Sequence, residues 1–467
     1  MKPPSSSGAT LVTPETLHIS YSARRMSRFL LAVGMAIAIA AALPLHADRI
    51  RVVVAVGVPE LSAQAGRALR TDAVISLRAS VAGSLEGAEG IEPWGRGPAF
   101  SAEIDRAELE RLSHDPRVRA ISIDLGGEGA LMESVPLIGA DLVHAQGFDG
   151  RGVTVAVLDS GIDVASPDFA GRIAAQRCFC DNLDGTGCCP NGENEQSGAG
   201  AARDDNGHGT HVSGIVAGSG ATAPQGVAPG ARIVAVKVLD ENRTFRSFTQ
   251  VFRALEWIAN ERPDVKVINM SFGSWSVLKP SECETDAIAI GMHDLVATLR
   301  SRGVLIAASS GNQSSAVGTT LPACMGDVLG IGATYDAPAN PQPVCEQTAA
   351  GRDDMTCFTN SSDAIDLVAP GAVITAAARG GGFTTMSGTS MAAPHVAGAL
   401  ALMQQVSAGT VTANQAERIL KTTGRPIVDP RNGLAFPRLD VAAAIAATPH
   451  VAPPPLPPTP RRRSTKK

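Results

Sequence analysis

Short apolar runs, each closed by small or polar residues, alternate with stretches of helical spacing through the middle of this chain. Residues 152–158, 231–239, 265–274, 304–312 and 328–333 form such runs. They are nearly continuous rather than alternating, the mark of strands buried on both faces. Residues 245–260 and 285–301 carry apolar positions at helical spacing between them, and 413–421 and 441–447 close the pattern. Repeated strand–helix alternation predicts an α/β fold: a mainly parallel sheet with helices on both faces.

A different pattern precedes it. Residues 50–56 and 118–124 read as strands, and 101–112 as a helix with Ser101 as cap and Leu109 and Leu112 on one face. The two strands and the helix predict a small α+β domain over residues 48–130. Upstream, residues 1–25 are polar and without periodicity. Arg24, Arg25 and Arg28 then flank Met26, an apolar run spans 29–43, and Ala47 follows. Basic start, short apolar middle and small end predict a secretory signal over residues 26–47, begun at Met26. A retained signal anchor is the alternative. The run is short for a membrane span, and Asp48, Arg49 and Arg51 follow it closely. Residues 447–467 form a proline-rich, basic tail, expected to be disordered.

The chain has 467 residues, 44% of them hydrophobic, enough for a large core. A net charge of −5 with no basic stripe before the tail, and only 4% aromatics, argue against nucleic acid as partner. The eight cysteines are Cys178, Cys180, Cys188, Cys189, Cys283, Cys324, Cys345 and Cys357. Beside an export-like segment they predict disulfides. Residues 172–203 read as an insertion that carries the first four. The spacing does not suit paired zinc ligation, so two local disulfides are favoured over zinc. Asp181, Asn182 and Asp184 offer oxygens for calcium, without a full EF-hand pattern.

The candidate chemistry sits at element ends. Ser390 stands at the mouth of an alanine-rich helical segment, after Gly388, where unpaired helix N–H groups favour developing negative charge. Pro394 fits a helix that starts near Ser390. Asp159 closes the run 152–158, Asn312 closes 304–312, and His208 follows Asn206 and Gly207 at a helix entrance. Nucleophile, base, group to orient the base and oxyanion donor are the roles of an acyl-transfer site. His211 shares a helix face with His208, but no third zinc ligand accompanies the pair. A non-catalytic binding protein on the same scaffold and a Cys/His zinc protein are the competing readings.

These stretches together resemble the subtilisin-like serine proteases. The matching segments are Val155-Ala156-Val157-Leu158-Asp159-Ser160-Gly161-Ile162, Asn206-Gly207-His208-Gly209-Thr210-His211-Val212, Ser309-Ser310-Gly311-Asn312 and Gly388-Thr389-Ser390-Met391-Ala392-Ala393-Pro394-His395. Asp, His and Ser follow in the order of that family. The resemblance covers residues 131–446 and implies a three-layer catalytic domain there. It implies a secreted (extracellular or periplasmic) endopeptidase that works through an acyl-enzyme. Asp159, His208 and Ser390 would form the triad, Asn312 the oxyanion donor, and His211 and His395 would be structural. Ser271, Phe272 and Gly273 match the edge that pairs with an extended substrate. Leu321-Pro322 matches a cis-proline position. Residues 48–130 would be an inhibitory pro-domain, removed by the enzyme itself near residues 125–135. The partners implied are protein or peptide substrates and the protein's own pro-domain, on a monomer. The chemistry asks for no cofactor; structural calcium is compatible with the family, with no ligands assigned.

Overall fold

A computed structural model describes residues 49–56, 67–93, 99–123, 131–338 and 350–451. The expected extension 1–25, signal 26–47 and tail beyond residue 451 lie outside the described residues, as does Cys345. The chain divides into two compact units, residues 1–127 and 128–467.

In the first unit the order is β1 (Ile50–Val56), a helix Arg67–Ala82, β2 (Glu89–Pro93), β3 (Ala99–Ile104), a helix Arg106–Ser113 and β4 (Val118–Ile123). The strands form one antiparallel sheet in the order β2-β3-β1-β4. Val52, Val54 and Val56 of β1 and Phe100, Ala102 and Ile104 of β3 alternate into a core with Leu109, Leu112 and Ile121. That alternation corrects the helix expected over 101–112. Residues 101–104 belong to β3, paired with β1. The helix starts at Arg106, and Asp105 rather than Ser101 caps it, accepting from the Glu108 N–H at 2.8 Å.

In the second unit the strands are β5 (Thr154–Asp159), β6 (Ile173–Phe179), β7 (Glu195–Ser197), β8 (Arg232–Lys237), β9 (Val265–Met270), β10 (Val277–Leu278), β11 (Leu305–Ser309), β12 (Thr319–Thr320), β13 (Leu329–Tyr335), β14 (Leu367–Ala372), β15 (Ile374–Ala377), β16 (Phe383–Met386), β17 (Arg425–Val428) and β18 (Ala435–Arg438). A 10-stranded sheet takes the order β17-β18-β14-β13-β11-β9-β5-β8-β6-β7. All pairs from β18 to β6 are parallel; β17 and β7 close the edges antiparallel. The small pairs β10–β12 and β15–β16 stand apart from it.

Period-2 alternation assigns the two faces. Val155 and Val157 of β5, Ile233 and Ala235 of β8 and Leu305 and Ala307 of β11 pack under the helices His208–Ala217 and Thr389–Val406. Ala156 and Leu158, Val234 and Val236, and Ile306 and Ala308 pack under the helices Phe248–Glu261 and Ala287–Ser301. This is the mainly parallel, two-sided fold that the apolar runs predict. Among the described residues, no helix is long and apolar enough to cross a membrane.

The expected insertion 172–203 needs correction. Residues 173–179 are β6, a sheet strand parallel to β8. Gln176 and Arg177 interrupt its apolar pattern because it lies next to the sheet edge. Residues 180–194 leave the sheet and return to it as the edge strand β7, and disulfides Cys178–Cys189 and Cys180–Cys188 tie this excursion back. Cys283 pairs with Cys324, and Cys357 is also disulfide-bonded.

Candidate active site

Asp159 is the last residue of β5 and shares the face of Val155 and Val157, beneath the helices that begin at His208 and Thr389. Ser271 follows β9 directly, and Asn312 follows the end of β11. The candidate residues thus gather at the carboxyl ends of parallel strands, where open α/β sheets place their sites. His208, Ser390, Asn312, Ser271, Phe272 and Gly273 line one cleft of about 330 Å³.

His208 opens its helix behind Gly207, whose φ of +111° few side chains could adopt. Its neighbour Gly209 allows a close approach: a Cβ there would lie 2.2 Å from the Gly161 carbonyl oxygen. The His208 Nδ1–H donates to Asp159 Oδ1 at 2.7 Å. That carboxylate is fully buried and also accepts from the Ser160 N–H at 2.7 Å. The bond fixes the tautomer and leaves Nε2 as the ring's free acceptor.

Asp204, for which the motifs gave no role, anchors the helix entrance. Its Oδ1 accepts from the N–H groups of Asn206 (3.0 Å) and Gly207 (2.8 Å) and from Ser160 Oγ (2.9 Å). Its Oδ2 accepts from the Thr210 N–H at 2.9 Å. Burial alone would push the Asp204 carboxyl up; these donors outweigh burial and hold it below the ordinary range. Lys237, fully buried and in register with Asp159, binds the Ser160 carbonyl at 3.1 Å, the Leu239 carbonyl at 2.7 Å and Asp205 at 2.8 Å. The Asp159 and His208 segments are therefore tied together through Ser160. A capping Asp a few residues before the helix was the available sequence signal; no local pattern marks Lys237.

Ser390 is the second residue of its helix, so its N–H has no intrahelical acceptor. Pro394 lies within this helix and has no N–H to offer the Ser390 carbonyl four residues back. Ser271 Oγ donates to that carbonyl instead, at 2.8 Å. In return Ser390 Oγ donates to the Ser271 carbonyl at 3.0 Å, not to the His208 ring. Asn312 Oδ1 accepts from the Thr389 N–H at 2.9 Å and from Thr389 Oγ1 at 3.0 Å. Because a backbone N–H can only donate, the oxygen must face Thr389, and the amide NH₂ is left to the cleft. Thr389, overlooked beside its neighbour in the sequence, orients this amide.

The other two histidines of the matching segments, His211 and His395, are buried away from this chemistry. His211 Nε2–H donates to the carbonyls of Ile374 (3.0 Å) and Thr384 (3.1 Å). Burial, with His208 nearby, pushes its pKa down to about 3. His395 Nδ1–H donates to the Met391 carbonyl at 2.8 Å, and its Nε2 accepts from Ser134 Oγ at 2.9 Å. Burial lowers it to about 4. The Leu321–Pro322 peptide bond is cis, in the same stretch as the cleft-lining Thr320. Among the described residues, no group of three or more His, Cys, Asp or Glu side chains is placed to hold a metal ion.

The chain is similar to known proteins. The family model described as the subtilase family matches residues 150–439. An alkaline protease of Alkalihalobacillus alcalophilus is 32% identical over 313 residues, covering 66% of this chain and 69% of that protein. Subtilisin E of Bacillus subtilis (strain 168) is 32% identical over 311 residues, covering 65% of this chain and 70% of that protein. A cold-adapted subtilisin-like serine proteinase of known crystal structure is 29% identical, with a TM-score of 0.48, over 62% of this chain and 89% of that one. The chain belongs to the subtilase family and is a subtilisin-like serine endopeptidase.

Proposed function

We propose that this endopeptidase is exported and self-processed, with Ser390 as nucleophile, His208 as general base, Asp159 as the group that orients it and Asn312 as oxyanion donor. The observation that carries this reading is the 2.7 Å bond from His208 to buried Asp159, in a cleft that also holds the Ser390 hydroxyl and the Asn312 amide. In the first step Ser390 Oγ bonds to the scissile carbonyl carbon while His208 Nε2 takes its proton. Negative charge moves to the carbonyl oxygen, where the Asn312 NH₂ and the Ser390 N–H stabilise it. The imidazolium then protonates the leaving amine as the C–N bond breaks. Water, deprotonated by the same nitrogen, attacks the acyl-enzyme, and Ser390 Oγ recovers its proton as it leaves. Asp159 stays ionised throughout and stabilises the imidazolium.

Every step is supplied by side chains and backbone of this chain, so the chemistry requires no cofactor. Ser271, Phe272 and Gly273 would pair with the substrate backbone as an added strand. Residues 48–130 would act as the pro-domain, and residues 26–47 as the export signal. The test is a fluorophosphonate probe with a peptide library, applied to wild type and Ser390→Ala. Wild type should be labelled at Ser390, cut peptides and cut its own chain near residues 125–135. Ser390→Ala should do none of these. Peptide cleavage by purified Ser390→Ala would overturn the nucleophile, and its normal maturation in isolation would overturn self-processing.

A further inference from the structure

Asn242, Arg243 and Thr244, which line the cleft along with Ser271, belong to a tight turn, Asp240 to Thr244, that leads into Phe245. Buried Asp240 organises it: Oδ1 accepts from the N–H groups of Asn242 and Thr244, each at 2.8 Å, and Oδ2 from Thr244 Oγ1 at 2.6 Å. The Arg243 N–H donates to the Asp240 carbonyl at 3.0 Å, and the Asp240 N–H to the Thr244 carbonyl at 2.8 Å. The result places Arg243 at φ +62°. Glycine or asparagine would serve such a turn; a residue with a long side chain carries a backbone cost there. The turn is also fixed against the substrate edge, because the Phe245 ring meets Phe272 edge-on at 5.5 Å.

Arg243 is exposed and lines the cleft. Among the described residues that line it, Arg243 alone carries a permanent charge; the other ionisable group is His208. No ion pair within the described residues neutralises its guanidinium. The adjacent Glu241 uses its backbone carbonyl to hold Asn206, and Asp240 spends its carboxylate on the turn. A chain with net charge −5 thus presents one unneutralised cation to whatever enters the cleft.

Resting on the protease reading above, we propose that Arg243 is a specificity-determining residue that recognises an acidic side chain of the substrate near the scissile bond. A half-exposed ion pair of this kind is worth up to ~1 kcal/mol, or about threefold to fivefold in kcat/KM. It should weaken with salt, because screening acts on exposed charges.

The experiment compares matched peptides that carry Glu, Gln or Lys at each position around the cut site. The enzymes are mature wild type, Arg243→Gln, Arg243→Gly and Arg243→Glu. Arg243→Gly suits the turn's backbone and guards against a folding defect. Wild type should favour Glu over Gln by about threefold to fivefold at one position, and less at high ionic strength. The preference should vanish in Arg243→Gln and Arg243→Gly and turn toward Lys in Arg243→Glu. Efficient cleavage with no acidic preference in wild type overturns this inference and leaves the protease reading intact. A preference that survives in Arg243→Glu does the same. Wild type that neither cuts peptides nor reacts with a fluorophosphonate overturns both.

Discussion

Ser271 and Ser390 exchange two hydrogen bonds: each hydroxyl donates to the other residue's backbone carbonyl, at 2.8 Å and 3.0 Å. The Ser271 carbonyl therefore holds the Ser390 proton while standing at the start of the edge proposed to pair with substrate. A substrate N–H that arrives at this carbonyl competes with the Ser390 hydroxyl and frees it for His208 Nε2. On the proposed mechanism, substrate binding and nucleophile activation would be one event. A peptide N-methylated at the amide that meets Ser271 should accordingly lose kcat as well as raise KM. A change confined to KM would show that Ser390 reaches His208 without help.

The second bond of the exchange has a cause in sequence. Pro394 deprives the Ser390 carbonyl of its helical donor, and Ser271 Oγ supplies the replacement. Ser271→Ala should leave this carbonyl unpaired and cost about 1–2 kcal/mol of stability. Adding Pro394→Ala restores an N–H four residues along the helix. The double variant should regain much of the loss, seen as positive coupling in a double-mutant cycle of denaturant midpoints. Additive losses would mean that the two donors do not serve the same carbonyl.

Asn312 can serve as an oxyanion donor only if its NH₂ faces the cleft, and Thr389 enforces that orientation through two donors. Asn312→Ala should lower kcat by about 10²–10³-fold, the range known for removal of such a donor from a subtilisin rather than one obtained from this geometry. Thr389→Val keeps the backbone donor and removes the hydroxyl, so the amide should be held by one bond instead of two. Its kcat should fall less than that of Asn312→Ala, with KM little changed, and Thr389→Ser should recover it. Equal activity in Thr389→Val and wild type would show that the backbone N–H suffices.

Much of this arrangement was legible before any coordinates. The unbroken apolar runs gave the parallel strands because burial on both faces removes the need for polar alternation. Asp159 and Asn312 could be placed because each follows such a run, and His208 and Ser390 because small residues precede each helix. Local spacing failed where pairing decides. Residues 101–104 follow β1, their partner across the sheet, rather than the helical spacing that begins after them. β6 escaped notice because Gln176 and Arg177 are tolerated next to an edge. The Ser271–Ser390 exchange spans a separation of 119 residues, and no pattern along the chain announces it. Asp204, Lys237 and Thr389 were missed for the same reason: their roles lie in partners that only folding brings near.

Asp336, directly after β13, illustrates a cost that burial imposes and pH reveals. It is 3% exposed, and its Oδ2 has no hydrogen-bond partner among the described residues. Burial first, and then the nearby charge of Glu133, push its pKa from the ordinary 3.8 up to about 7, against smaller opposing pulls from the backbone N–H groups of Asp336 and Ala337 and from Arg352. The folded state therefore keeps a proton that the unfolded chain releases. Between about pH 4 and pH 7 the unfolded state binds fewer protons, so this group's contribution to stability falls as pH rises through that window. Above it the carboxylate is ionised in a site whose backbone donors do not offset its burial. His211 and His395 act with the opposite sign: their depressed values mean stability is lost as pH falls from the ordinary histidine value, 6.5, toward about 3 and about 4 respectively. Asp336→Asn keeps the shape and removes the charge. It should raise the melting temperature by a few degrees at pH 8, with the gain shrinking to nothing by about pH 4, where both side chains are neutral. Thermal melts in the Ser390→Ala background, in which self-digestion should not intrude, would read this directly; a gain that is equal at both pH values would show that folding does not shift the pKa of this carboxyl.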